Sequence, residues 1–424
     1  MRFNRIWCLP LLGALALGAC DMDLTDPNNP SEELAVTTPS GLRMAAIGLQ
    51  AQYSNNVVDP VFTVGLITDE IGAIPETFES YQDADVGNEI DGTEGPSTNT
   101  WFGMYDVIRT ANVIIDGAGD VGFPAAYAGG VEALGKFYKG LAFGQLFQLY
   151  PAAPINVSPE SSDAEFVDRD AVLAEALRLL QEASQQLQSN PPPAEFYSDV
   201  VAPGFDLDNS VDAMIARFAL MAEDYDLAFE AAQRVDESVL SEFRAGSLDA
   251  NSLWVMWYGS GNAYALRAEE AFWADAEAGD QRHEYWVRES VITDAEENEL
   301  PLDDVRRYED RDLSYPVYLP DEMKLIQAEV YARDDELPSA LALVNEVRTQ
   351  CDSALDEPVA CLPALNAADV PTQEAMLDQI LQERGFELYL QAVRWQDQRR
   401  FGEPLKYDIM PIPVAECERN PSAP

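Results

Sequence analysis

The sequence predicts a mostly α fold: helix pairs stacked as an α-solenoid, with long irregular loops gathered on one side. Three observations lead to it. Apolar residues recur at three-and-four spacing along much of the 424-residue chain. Two stretches, DYDLAFEAAQRV and ELPSALALVNEVRT, carry the small residues Ala228, Ala231, Ala340 and Ala342 where a second helix must approach a first. Two further stretches, 75–99 and 239–320, lack either periodicity over lengths at which a loop is usually functional or disordered.

From the N-terminus, residues 1–20 combine basic Arg2 and Arg5, a short apolar run over 8–17, and Leu-Gly-Ala-Cys at 17–20. The run is too short to span a bilayer, and the ending has the form of a bacterial lipobox. Residues 1–19 are therefore expected to be a lipoprotein signal peptide, with Cys20 carrying acyl chains that hold the protein to a membrane without crossing it. Residues 20–38 read as an acidic, proline-bearing tether.

The remainder, 39–424, is expected to form one domain. Its parts are N-terminal helices and a loop (39–115), helix pairs (116–238), an aromatic-rich loop region (239–320), and C-terminal helix pairs with a tail (321–424). A helix over 101–115 places Trp101, Tyr105, Ile108 and Asn112 on one face. Helices follow over 131–149 and 170–188, the latter stopped by Asn190 and three prolines. A helix pair spans 210–238 and breaks near Glu223, and another spans 321–349. The two second helices resemble those of tetratricopeptide repeats. No clean 34-residue period appears, so the repeats are degenerate.

Residues 377–402 read as one helix. At about 100° per residue, Glu383, Glu387, Arg394 and Asp397 fall within about 80° of one another. Two readings compete for this stripe. Paired glutamates serve as acid and base in glycosidases; carboxylates spaced to meet Arg384 and Arg394 on the same helix also form a self-neutralising structural network. The second is the more economical.

Charge excludes several functions. The chain has 26 basic and 75 acidic residues, and loss of Arg2 and Arg5 with the signal leaves a charge of −51. Such a surface repels nucleic acid and anionic membranes and favours neutral or basic ligands. A single histidine, His283, excludes multi-histidine metal sites. The acidic run at 83–91 misses calcium-loop spacing, because Asn88 stands where glycine is needed. No metal and no cofactor are expected. Of the cysteines left after processing, Cys351 and Cys361 flank a short loop and are the candidate disulfide.

Seven tryptophans and tyrosines crowd 254–286: Trp254, Trp257, Tyr258, Tyr264, Trp273, Tyr285 and Trp286. Aromatic rings in loops can stack on sugar faces while Asn, Asp and Arg bind hydroxyls, and they lose little entropy on fixing. Ligand-contact candidates are Phe78, Tyr81, Trp254, Trp257, Tyr258 and Asn262. The plainer alternative makes Trp254 and Trp257 core residues. No nucleophile elbow, HExxH or phosphate loop occurs, so no enzyme is expected.

Four motifs in order resemble the SusD/RagB family of surface nutrient-binding lipoproteins. They are the helix with Trp101, Tyr105 and Asn112; Asp280-x-Arg282; the run with Glu383, Arg384, Glu387, Arg394, Trp395 and Asp397; and Pro411-Ile-Pro413 with Glu416. Gln391-Ala392 departs from the acidic residue and glycine usual there. The resemblance implies a helical-repeat scaffold at the outer membrane that binds an oligosaccharide or peptide. It also implies a SusC-like TonB-dependent transporter as partner. Two alternatives belong to other classes: a lipid-anchored assembly scaffold without a small-molecule ligand, and a glycoside hydrolase.

Overall fold

In a computed structural model of the chain, residues 36–157, 163–246, 250–259 and 266–424 are described. The signal peptide, Cys20, most of the tether, Asn262 and Tyr264 lie outside them. Helices dominate, with sheet confined to short strands. Among the described residues no helix is long and apolar enough to cross a membrane.

Helix Pro39–Asn56 starts where the Thr38 hydroxyl accepts the Gly41 N–H at 3.1 Å, satisfying one of the open donors of the first turn. It packs on Gly95–Gly117 and Ala125–Leu149, and the latter packs in turn on Arg169–Ser189. Ala125–Leu149 is buried along most of its length, which its many glycines and alanines permit. At Gly144 a methyl group would overlap the Phe218 ring. Gly144→Ala is expected to cost about 1–3 kcal/mol by overpacking. Chemical denaturation checks it, and an unchanged midpoint would mean that Phe218 yields.

The two helix pairs form as the spacing implies. Leu207–Met221 is followed by Tyr225–Ala232, and Pro320–Arg333 by Leu337–Thr349. Both turn through an acidic residue in the left-handed region, Glu223 at φ 57° and Asp335 at φ 62°. Asp224 then caps the N–H of Leu227 at 3.2 Å. A satellite core around Ala328, Val344, Met376 and Ile380 joins the later pair to the helix that follows.

Three expectations are corrected. The single helix over 377–402 is two helices, Gln373–Glu387 and Arg394–Phe401. Between them Leu390 and Ala392 take φ of 58° and 55°. The break is held by tertiary bonds. The Leu390 N–H donates to the Glu70 carboxylate at 2.9 Å, the Tyr389 hydroxyl to the Glu70 carbonyl at 2.7 Å, and the Tyr315 hydroxyl to the Leu390 carbonyl at 2.9 Å. Apolar periodicity records burial and is blind to such bonds.

The polar stretch 75–99 is helical over about half its length. Helix Glu79–Val86 ends at Gly87 with φ 79°, and Gly95 already begins the next helix. Its acidic groups are committed to structure: Asp85 accepts the Ala73 N–H at 2.9 Å. Among the described residues no group of three or more His, Cys, Asp or Glu could hold a metal ion.

The 239–320 region is not one long irregular loop. It contributes Leu266–Glu269, Val287–Arg288 and Leu302–Val305 to an antiparallel sheet completed by Ile71–Ala73. In that sheet Ile71 faces Ala268, Ala268 faces Asp303, and Val287 faces Val305. Trp273 and Trp286 are core residues, and the Trp286 ring N–H donates to the Phe386 carbonyl at 3.0 Å. Cys351 and Cys361 are joined in a disulfide, and Cys417 is free and exposed.

Candidate ligand-binding face

The turn at 251–259 positions the aromatic candidates. Asn251 anchors it: its side-chain oxygen accepts the N–H groups of Leu253 and Trp254 at 2.8 and 3.3 Å, and its amide donates to the Leu313 carbonyl at 2.6 Å. Helical turn Ser252–Trp254 then widens into a π-turn over Val255–Gly259. Such wide turns are frequent at functional sites.

The turn sorts its rings. Trp257 faces inward, 5% exposed, between Phe62 at 4.8 Å and Tyr308 at 5.8 Å between ring centroids. It is a core residue, and a ligand does not reach it. Trp254 and Tyr258 are half-buried. The Arg311 guanidinium lies over the Trp254 ring at 5.5 Å, a cation–π distance. The Tyr258 hydroxyl donates to the Val305 carbonyl at 2.8 Å. Burial, then the charges of Asp304 and Glu309, push that hydroxyl up to about 12.

Charged pairs lie next to Tyr258. Arg267 meets Asp304 at 3.3 Å, and Arg288 meets Asp304 at 2.8 Å and also bonds Glu309. Sequence reading missed all four. They sit on or beside the short strands Leu266–Glu269, Val287–Arg288 and Leu302–Val305, and so brief an alternation is a weak signal.

The other candidates lie elsewhere. Tyr81 is 4% exposed and belongs to the core, because the segment expected to be a loop is a packed helix. Phe78 is exposed, its ring 6.3 Å from that of Tyr81. Its segment meets the 292–300 loop, where the Ala295 N–H donates to Glu76 at 2.7 Å. Beyond the sheet an open groove of about 610 Å³ is lined by Glu270, Glu289 and Asp303 with Trp273 and His283. His283 stands edge-on to Trp273 with ring centroids 5.2 Å apart.

The signature residues are structural. Trp101 is buried against Tyr150 at 4.8 Å and Tyr105 at 5.0 Å, and the Tyr105 hydroxyl donates to the Pro154 carbonyl at 2.9 Å. Asn112 is half-buried on the same helix. Trp395 is fully buried, with its ring N–H on the Tyr407 carbonyl at 3.1 Å.

The carboxylate stripe is neutralised largely across elements, with Arg400–Asp397 as a pair within one helix; Arg384 takes part as expected, and Arg394 does not. Arg282 meets Asp280 at 2.7 Å, Glu383 at 2.7 Å and Glu387 at 3.7 Å. Arg348 meets Glu383 at 2.5 Å. Arg384 binds Asp397 at 2.8 Å, and Arg400 joins Asp397 at 2.9 Å to Glu329 at 2.7 Å. Arg394 donates instead to the Leu381 carbonyl at 3.3 Å. Burial pushes the Glu387 carboxyl well up, Asp321 adds to this, and Arg282 only partly opposes it. Burial works to raise Asp397 too, but Arg384 and Arg400 outweigh it and hold the carboxyl low. Glu383 and Glu387 have no exposed surface, so neither reaches a glycosidic bond.

A sequence model of the SusD family matches residues 321–421. No curated protein matches the chain. Among solved structures, a SusD superfamily protein from Bacteroides fragilis is similar with a TM-score of 0.71, 18% identity and coverage of 91% of this chain and 99% of that one. A SusD superfamily protein from Bacteroides thetaiotaomicron gives 0.70 and 16%, covering 91% and 98%. A SusD-like carbohydrate binding protein from Bacteroides vulgatus gives 0.66 and 16%, covering 86% and 84%. At such identities the likeness establishes the fold, and the sequence match covers the two C-terminal motifs singled out above. The C-terminal part of the chain, residues 321–421, thus matches the SusD family, and the chain as a whole has the fold of these SusD superfamily structures.

Proposed function

We propose that this protein captures a neutral or basic oligosaccharide on the face around Trp254 and Tyr258. It then hands the ligand to a SusC-like TonB-dependent transporter, while Cys20 anchors the chain by its acyl groups to the outer membrane. The observation that carries this reading is the pinned turn at 251–259. It presents two half-exposed rings beside guanidinium–carboxylate pairs, fixed before any ligand arrives. Rings held in place lose little freedom on binding, and the adjacent charged groups can exchange hydrogen bonds with hydroxyls. The carbohydrate-binding neighbour and the family support the same class. The excess negative charge sets the preference against sulfated and uronic chains.

Titration calorimetry with neutral, amino and uronic oligosaccharides tests it. Trp254→Ala is expected to weaken binding about tenfold, about 1.4 kcal/mol. Unchanged affinity in Trp254→Ala, or a preference for the uronic set, would overturn the reading. Co-purification of a large outer-membrane barrel from detergent extracts tests the partner, and its absence from such extracts would remove that part.

A further inference from the structure

A second cavity lies on another part of the molecule, between helix Pro39–Asn56, helix Ala125–Leu149 and the segments 198–205 and 242–246. It encloses about 460 Å³, within the range of small-molecule sites. Its floor is aromatic: Phe205 stacks near Tyr138 at 6.0 Å and near Phe243 at 6.2 Å between centroids. One wall is fixed by Gln50, which donates to the Val200 carbonyl at 2.8 Å and accepts the Ala202 N–H at 2.9 Å.

Four polar groups that line this cavity have no side-chain hydrogen bond or ion pair among the described residues: the hydroxyls of Tyr138 and Ser54, the Glu242 carboxylate and the Arg244 guanidinium. Tyr138 is 1% exposed overall, and what it leaves open lines the cavity, where its hydroxyl is available to a ligand. Arg244 is more unusual. Acidic residues outnumber basic ones almost threefold, yet among the described residues this guanidinium pairs with none of them. The third charge at the mouth, Asp199, is already met by Arg43 at 3.9 Å.

These groups define a ligand chemistry. A sugar of this size needs more hydrogen-bonding partners than four, and most of the wall is apolar. The fit is to a molecule with an apolar body and one charge of each sign at the mouth. We propose that the cavity binds a small apolar zwitterion, an amino acid or dipeptide with an aromatic or large aliphatic side chain. Its carboxylate lies on Arg244, its ammonium group on Glu242, and its side chain against Tyr138, Phe205 and Phe243. This site stands apart from the carbohydrate face and does not depend on it.

Saturation-transfer NMR and calorimetry on the full mature chain test it, with L-phenylalanine as probe and N-acetyl-phenylalanine amide, which lacks both charges, as comparison. Saturable binding of L-phenylalanine is expected, at least about tenfold tighter than the amide. Arg244→Met is expected to weaken it about tenfold, Glu242→Gln by a similar factor, and Ala51→Trp to abolish it by filling the space. Arg244 is exposed, so its variant folds, and circular dichroism confirms this for all three. Trp254→Ala leaves phenylalanine binding unchanged, and Arg244→Met leaves oligosaccharide binding unchanged, so the two sites fail separately. No saturable signal up to about 10 mM, equal binding of the amide, or an unaltered affinity in Arg244→Met would overturn the proposal.

Discussion

Arg282→Met destabilises the protein by about 3–5 kcal/mol, measured as a shift in denaturation midpoint. Arg282 is 1% exposed and is the cation shared by Asp280, Glu383 and Glu387. Removing it leaves three carboxylates in the interior, with Arg348 to serve only Glu383. The loss is dominated by charge left without a partner. The double variant Arg282→Met/Asp280→Asn therefore recovers a substantial part of it, because the carboxylate in bidentate contact with Arg282 goes as well. A loss below about 1 kcal/mol for Arg282→Met, the range of exposed pairs, would show that water reaches the network.

Glu70 gives the second large effect, read in pH. Burial raises its carboxyl from 4.5 to about 7, with the Leu390 N–H and the charge of Arg394 acting against burial. Below 4.5 the carboxyl holds its proton folded or unfolded. Between 4.5 and about 7 the folded chain keeps the proton and the unfolded chain loses it. Stability therefore falls as pH rises through that window, by up to about 3 kcal/mol from this residue. Asp59, raised by burial to about 6, adds in the same sense, as does growing self-repulsion of an acidic chain. Glu329 and Asp397 act oppositely: Arg400 and its neighbours hold them low against burial, and their contribution is lost as pH falls through those depressed values. The most stable state is expected near pH 5. Urea denaturation at pH 5, 6, 7 and 8 measures the slope, and Glu70→Gln is expected to flatten it. A slope of opposite sign, or one undiminished in Glu70→Gln, would remove Glu70 as its cause.

The helical elements were legible because their signals are local. Three-and-four spacing and small residues at helix contacts identify the pairs around Glu223 and Asp335 without reference to the rest of the chain. The break after Glu387 was not legible, because its cause is Glu70, more than three hundred positions earlier. The same holds for the ion pairs. Spacing suggested Arg394 as a partner for the stripe, whereas Arg282 and Arg348 arrive from other elements. For the candidate face, sequence reading named Trp254, Trp257 and Tyr258 alike and could not tell the half-exposed rings from the buried one. One residue of phase in a π-turn decides which ring faces Tyr308 and which faces solvent.

The last stretch of chain has an effect on assembly. Lys406 reaches the Leu66 carbonyl at 2.8 Å and Asp69 at 2.6 Å, the Met410 N–H meets the Leu149 carbonyl at 2.9 Å, and the Ser97 hydroxyl meets the Pro411 carbonyl at 2.8 Å. These contacts work as a late clasp. The first hundred residues cannot close until nearly the whole chain is available. The opening helices must wait with apolar faces uncovered, which is when a chaperone would be needed most.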